Sequence, residues 1–271
     1  MCFCNMAYSA DDYVCFYSDG TRLMQSLDNK FKSFISGLDY KEYHIPAIID
    51  GEVLRKCGYF SSFPHHLTVA AFVRKECCDD VIAKKTVNKE HLETADKYLT
   101  PAACLHIYPM LEGKKDIKNS VITTKARVYR FEEGRFKELT RLWDFTVREI
   151  VIIGEHRYVE ELMTTIRDQA VDFAKKISVD SELTTASDSF YPTRQNIIKS
   201  KIQKVNSLKY ELLIPIKDEK VAVASFNFHD THFSKPFNFD NEGEIVTGCV
   251  GFGLERWVAA CLDHKFNFSR D

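Results

Sequence analysis

Apolar residues recur at every third or fourth position between Leu23 and Leu38, Phe31 and Phe34 among them, and this spacing predicts a helix over 23–38. Pro46 follows, and Asp50-Gly51 reads as a turn. Residues 79–97 are charged and predict a solvated helix with its flanks. Beyond them come β-rich stretches at 103–108, 121–131, 145–153, 210–216, 221–228 and 248–253. The third of these ends in Ile150-Val151-Ile152-Ile153, apolar and β-branched as a central strand should be. Helical spacing returns at 158–176 and at about 254–264. The strands cluster without strict alternation with helices. That order favours an α+β fold, an antiparallel sheet flanked by helices, over a doubly wound parallel sheet.

Composition changes this picture little. The chain has 271 residues, 45% hydrophobic and 28% charged, which suits one catalytic domain over 1–271. Its 37 basic and 39 acidic residues leave a formal charge of −2, against a broad nucleic-acid footprint. No apolar run reaches the ~18 residues of a membrane span. Met1-Cys2-Phe3-Cys4-Asn5 lacks the charged start and apolar core of a signal peptide, so the expected place is the cytoplasm. Nine cysteines, at 2, 4, 15, 57, 77, 78, 104, 249 and 261, form no CxxC pair and are expected to be reduced thiols.

Four segments carry candidate chemistry. Gly248, Gly251 and Gly253 precede Glu255-Arg256-Trp257; glycines there let backbone approach a flat ligand, and the guanidinium of Arg256 can stack on a ring or grip phosphate. Tyr129-Arg130-Phe131-Glu132 opens a strand-loop-strand unit closed by Arg141 to Glu149, which by itself reads equally as a surface hairpin of mixed charge. Leu99-Thr100-Pro101-Ala102-Ala103-Cys104 is a proline-bearing loop. Lys209-Tyr210-Glu211 is followed by Ser225-Phe226-Asn227-Phe228-His229. His229 and His232 invite a metal reading, but a hydrogen-bonded pair at a strand end is the commoner case.

In this order the segments resemble those of class II aminoacyl-tRNA synthetases. Arg130 and Glu132 match the R-x-E of motif 2, and Gly251-Phe252-Gly253-Leu254-Glu255-Arg256 resembles motif 3. The resemblance implies that Arg130 holds the α-phosphate of ATP and Glu132 contacts the base. It places Arg141 on the outer phosphates and Phe145 on the adenine, opposite Arg256. Arg130 and Arg256 would be the catalytic pair, and Asn227 a further ATP contact. The Leu99–Cys104 loop is similar to the substrate loop of seryl-tRNA synthetases, with Cys104 where those have glutamate.

That departure points to a narrower group: atypical seryl-tRNA synthetases and the amino acid:[carrier protein] ligases, their truncated homologues. In them this cysteine, a motif 2 glutamate and a cysteine before motif 3 hold zinc. Cys104, Glu149 and Cys249 occupy those places. The resemblance implies a zinc ion with an open position for the substrate's α-amino group, with Ala102 and Glu211 also at the substrate. Asp188 is expected near the site. Residues 40–67 are similar to the motif 1 region, which implies a homodimer. The implied activity joins glycine or alanine to ATP, with Mg(2+), and passes the acyl group to the phosphopantetheine thiol of a carrier protein. The glutamate that binds magnesium in seryl enzymes has no counterpart among Lys220, Val221 and Ala222. Two other readings remain: a tRNA-charging synthetase, expected to need the heptad-rich arm of ordinary seryl enzymes or a strongly basic block, neither of which is found here, and a silent amino-acid-binding paralogue.

Overall fold

A computed structural model describes residues 6–9, 13–132, 136–239, 244–266 and 268; Cys2 and Cys4 lie outside them. The chain begins with β1 (Ala7–Ser9) and β2 (Val14–Phe16), then α1 (Ser18–Ser33), β3 (Tyr40–Glu42) and β4 (Ile48–Asp50). Next are α2 (Gly51–Lys56), α3 (Tyr59–Ser62), β5 (Val69–Val73), α4 (Cys78–Lys84) and β6 (Leu92–Leu99). The main sheet is built from β7 (Ser120–Tyr129) onward: β8 (Asp144–Glu155), α5 (His156–Ile177), β9 (Glu182–Thr185) and α6 (Arg194–Val205). It is completed by β10 (Lys209–Ile216), β11 (Glu219–Asp230), β12 (Ile245–Gly253) and α7 (Leu254–Asp263).

Seven strands form this sheet in the order β3-β7-β8-β12-β11-β10-β9. Every pairing is antiparallel except the edge pair β3–β7. Strand β8 lies inside it, buried from Val147 to Gly154. Its even residues face a helical layer of α1, α5 and α7, where Phe31 stacks on Phe252 at 4.3 Å and Phe173 packs on Trp257. Its odd residues face the small sheet β4-β6-β5 and the turns beside it. Both faces of β8 are therefore core. The α+β expectation holds.

Three local readings are corrected. Residues 103–108 are no strand but fall in two successive 3-10 turns, Ala103–His106 and Tyr108–Leu111. Pro101 and Pro109 bracket the run, and neither can donate to a ladder. A short apolar run fits a buried turn as well as a strand. Residues 79–97 hold the short α4, which ends where Lys85 turns left-handed at φ 50°, then a 3-10 turn at Lys89–His91, and then β6. Strand β6 is largely exposed, so no apolar alternation marks it. Asp50 is an N-cap rather than a turn residue: its carboxylate accepts the Glu52 N–H at 2.9 Å and starts α2.

The helical layer is pinned by one buried cation. Arg148, on an even position of β8, is 2% exposed. Its Nε and Nη2 donate to the two oxygens of Asp28 on α1 at 2.7 and 3.0 Å, and its Nη1 donates to Glu42 on β3 at 2.8 Å. Burial alone would raise the Asp28 carboxyl, but the bonds and charge of Arg148, with Lys125, hold it below the usual range. Asp28→Ala leaves that cation short of its main partner, and the expected loss is about 3–5 kcal/mol. Urea unfolding reads it as a lower midpoint at unchanged slope.

Candidate active site

The pleat carries Phe145, Val147 and Glu149 of β8 to the face away from the helices. Across the neighbouring strands, register lines up one row on that face: Thr124, Glu149, Gly251, Ser225 and Glu211. The next row is Ile122, Val151, Cys249, Asn227 and Lys209. Cys104 descends onto these rows from its 3-10 turn. That turn follows a loop in which Thr100 Oγ1 donates to Pro46 O at 3.2 Å and shares a hydrogen bond with His106 at 2.9 Å.

Cys104, Glu149 and Cys249 are all buried, with one donor atom of each lying within 4.8 Å of the others. Burial raises the Glu149 carboxyl despite thiol hydrogen bonds and the charge of Arg130. The Cys249 thiol is pushed well up by its hydrogen bond with Cys104, by burial and by Glu149. Burial at this depth disfavours the charged forms of Glu149 and Cys249. A divalent cation reverses that preference. Two sulfurs and one oxygen converging from three elements suit zinc with an open position. His229 stays outside the trio, between Thr247 Oγ1 at 3.2 Å and the Cys249 sulfur at 3.5 Å. Burial lowers its pKa to about 3, so it is neutral. His232 bonds Cys57 O at 3.3 Å, and the hydrogen-bonded reading of this pair holds.

Farther along β8 the charges change sign. Arg130 donates from Nε to Pro101 O at 2.8 Å, tying motif 2 to the Cys104 loop, and its guanidinium lies 5.7 Å from the Phe145 ring centroid. Arg141 Nη1 donates to Glu132 at 2.6 Å. Arg256, in the first turn of α7, donates to Thr140 O at 2.7 Å and Ala222 O at 2.8 Å. Its aliphatic stem passes over Gly253, where a Cβ would lie 3.7 Å from its Cδ. Gly253 pairs with Val147, so Arg256 and Phe145 share one face and one end of the sheet. Burial and the neighbouring Arg141 and Arg130 lower the Arg256 pKa, while Glu132 and Glu211 oppose them.

Asn227 falls beside the trio rather than among the arginines: its Nδ2 donates to Ser225 Oγ at 3.3 Å and to the Cys249 sulfur at 3.7 Å. Glu211 is held by Lys209 at 3.0 Å, and Lys209 also binds Asp188 at 2.7 Å. Ala102 is the residue before the Cys104 turn. Lys209, from the Lys209-Tyr210-Glu211 segment, also reaches this region, as do Tyr108 and Thr124, which carry no motif signal. Strand alternation could have placed Lys209 and Thr124; nothing in the sequence marks Tyr108.

No family model matches the chain. It is 31% identical over 228 residues to amino acid--[acyl-carrier-protein] ligase 2 of Bradyrhizobium diazoefficiens, covering 79% of this chain and 67% of the relative. The chain belongs to the amino acid--[acyl-carrier-protein] ligase family. Ligase 1 of the same organism is 29% identical over 259 residues, covering 90% of this family member and 79% of the relative. By this kinship the protein is a ligase-class enzyme. The type-2 serine--tRNA ligase of Methanocaldococcus jannaschii is 29% identical over 270 residues; the match takes in 92% of the chain but about half, 52%, of that relative. Among solved structures, M. kandleri SerRS in complex with A. aeolicus tRNASec aligns with TM-score 0.77 at 19% identity, over 96% of this chain and 55% of that one. Giardia lamblia prolyl-tRNA synthetase in complex with prolyl-adenylate aligns at 0.68 and 12% identity, over 93% and 48%. The fold of this ligase-family protein is that of class II aminoacyl-tRNA synthetases.

One buried acid ties the start of α7 to the backbone of β8. Glu255, beside Arg256, accepts the Thr146 N–H with both oxygens at 2.9 and 2.8 Å. Burial raises its carboxyl to about 6, against those bonds. Its unfolded value is near ~4.3, so the native state holds the proton more tightly. The stability this gives is complete below about pH 4 and is lost as pH rises through 6. Between pH 4.5 and 7.5 the wild type therefore loses about 2 kcal/mol relative to Glu255→Gln. Urea midpoints of both proteins across that range measure it.

Proposed function

We propose that the chain activates glycine or alanine with ATP and passes the acyl group to the phosphopantetheine thiol of a carrier protein. The observation that carries this reading is that Glu149 and Phe145 lie on one face of one strand. Four residues of strand separate them by ~13 Å. That is the reach of a molecule with an amine at one end and an adenine at the other.

In this reading Arg130 neutralises the α-phosphate, Arg141 the outer phosphates, and Phe145 and Arg256 clamp the adenine, with Glu132 at its edge. A carboxylate oxygen of the amino acid attacks the α-phosphorus, and the bond to pyrophosphate breaks. The carrier's thiol sulfur then attacks the acyl carbon, and AMP leaves. Arginines held in place by backbone carbonyls need no reorganisation as charge develops. Mg(2+) accompanies ATP. The trio fits zinc, which when bound would supply a Lewis-acid anchor for the α-amino group. Ala102, Glu211 and Asn227 border the amino acid. The preference for a small one is what the family resemblance implies.

Helix α6 supports a protein partner. Ile197, Ile198, Ile202 and Val205 are exposed on it, with Arg194, Lys199, Lys201 and Lys204 among them. An acidic carrier domain matches that charge. The reading takes the enzyme as a cytoplasmic homodimer. Transfer to tRNA is the second reading, favoured by the resemblance to M. kandleri SerRS, which was solved with tRNASec.

Pyrophosphate exchange with a panel of amino acids is expected to respond to glycine or alanine. Arg256→Ala and Arg130→Ala are each expected to lose at least ~100-fold. Near-normal exchange in both sinks the assignment. Supplying a phosphopantetheinylated carrier or tRNA as acceptor then separates the two readings. Metal analysis is expected to find about one zinc per chain, lost on Cys104→Ala.

A further inference from the structure

Three polar atoms beside the Cys104, Glu149 and Cys249 trio are buried without a hydrogen-bond partner: Tyr108 Oη, Thr124 Oγ1 and Asn227 Oδ1. Each neighbours a different member. Thr124 stands directly opposite Glu149 across β7 and β8, on the same face. Asn227 stands opposite Cys249 and already donates to its sulfur. Tyr108 follows Cys104 by one helical step and shares its apolar cluster with Cys104, Cys249 and Cys57. The ring is locked against Phe233 at 4.0 Å, and the side chain is 0% exposed. Its phenol lies in the field of Cys104, Cys249, Cys57 and Glu149.

An unpaired buried hydroxyl destabilises a fold, and two beside one candidate site need a reason. Both lie beside the side chains that converge as candidate cation ligands. Around a bound cation, the ligand sulfurs and the remaining carboxylate lone pairs would be strong acceptors for those hydroxyls. We propose that Tyr108 and Thr124 are positioning residues for the occupied centre, Tyr108 donating on its sulfur side and Thr124 to Glu149. Neither touches the ion. Each orients a ligand and stabilises its charged form, as partners of metal ligands do. The inference rests on the zinc reading above and adds residues that no motif supplies. Asn227 Oδ1, an acceptor only, is left for the incoming amine.

The test uses the full chain and zinc itself, titrated against a chromophoric chelator. Tyr108→Phe and Thr124→Val keep the shape and remove the hydroxyls. Each is expected to weaken zinc about 10-fold or more. The metal-stripped variants are expected to melt about 2–4 °C higher than stripped wild type, because an unpaired group is gone. A merely structural hydroxyl would move both readings the other way or not at all. Zinc bound as tightly by a variant as by wild type overturns the role of that hydroxyl and leaves the proposed function standing. A wild type that binds no zinc overturns both. Each substitution is read separately, so a failure of Tyr108→Phe to fold leaves Thr124→Val to decide.

Discussion

The register of β8 between β7 and β12 is the constraint on which the site depends. Arg148 and Glu149 are adjacent in sequence and face opposite ways. One binds Asp28 and Glu42 behind the sheet; the other meets Cys104 and Cys249 in front. A slip of one residue would exchange them. It would put a carboxylate against Asp28 and a guanidinium against two thiols. Both errors bury like or unmatched charge, so the ion pair behind the sheet also protects the alignment in front of it.

Much of the site was legible because its residues follow rules of spacing. The strand cores at 121–131, 145–153 and 210–228 show apolar alternation or continuous β-branching, and those strands form the sheet. Arg130, Glu132, Arg141 and Arg256 sit in short motifs, so their types and order could be read directly. What stayed hidden depends on tertiary packing. Strand β6 and helix α6 expose most of their residues, which erases the burial pattern that would announce them. The run 103–108 looked like a strand because both mimic each other when everything around them is apolar. Tyr108 could not be found at all, since an aromatic in an apolar run has packing as its ordinary role.

The placement of Asn227 shows a different limit. Order along the chain suggested a nucleotide contact, yet its register opposite Cys249 sets it at the other end of the face. Sequence order conveys which motif a residue follows. Only pairing conveys how far along a strand it lies.

The two ends of the site solve opposite electrostatic problems with one scaffold. At the trio, burial disfavours the charged forms of Glu149 and Cys249, a preference that a bound cation would reverse. At the other end three guanidiniums are held by backbone carbonyls and by Glu132, each through only part of its set of donors. In the proposed reaction a zwitterionic amino acid and an anionic nucleotide would need those two environments at once. Only a rigid extended strand keeps such environments apart by a fixed length while leaving both open to the same face. Glu255 reinforces that rigidity by fastening the start of α7 to the backbone of β8, so Arg256 cannot drift along the face independently of Phe145.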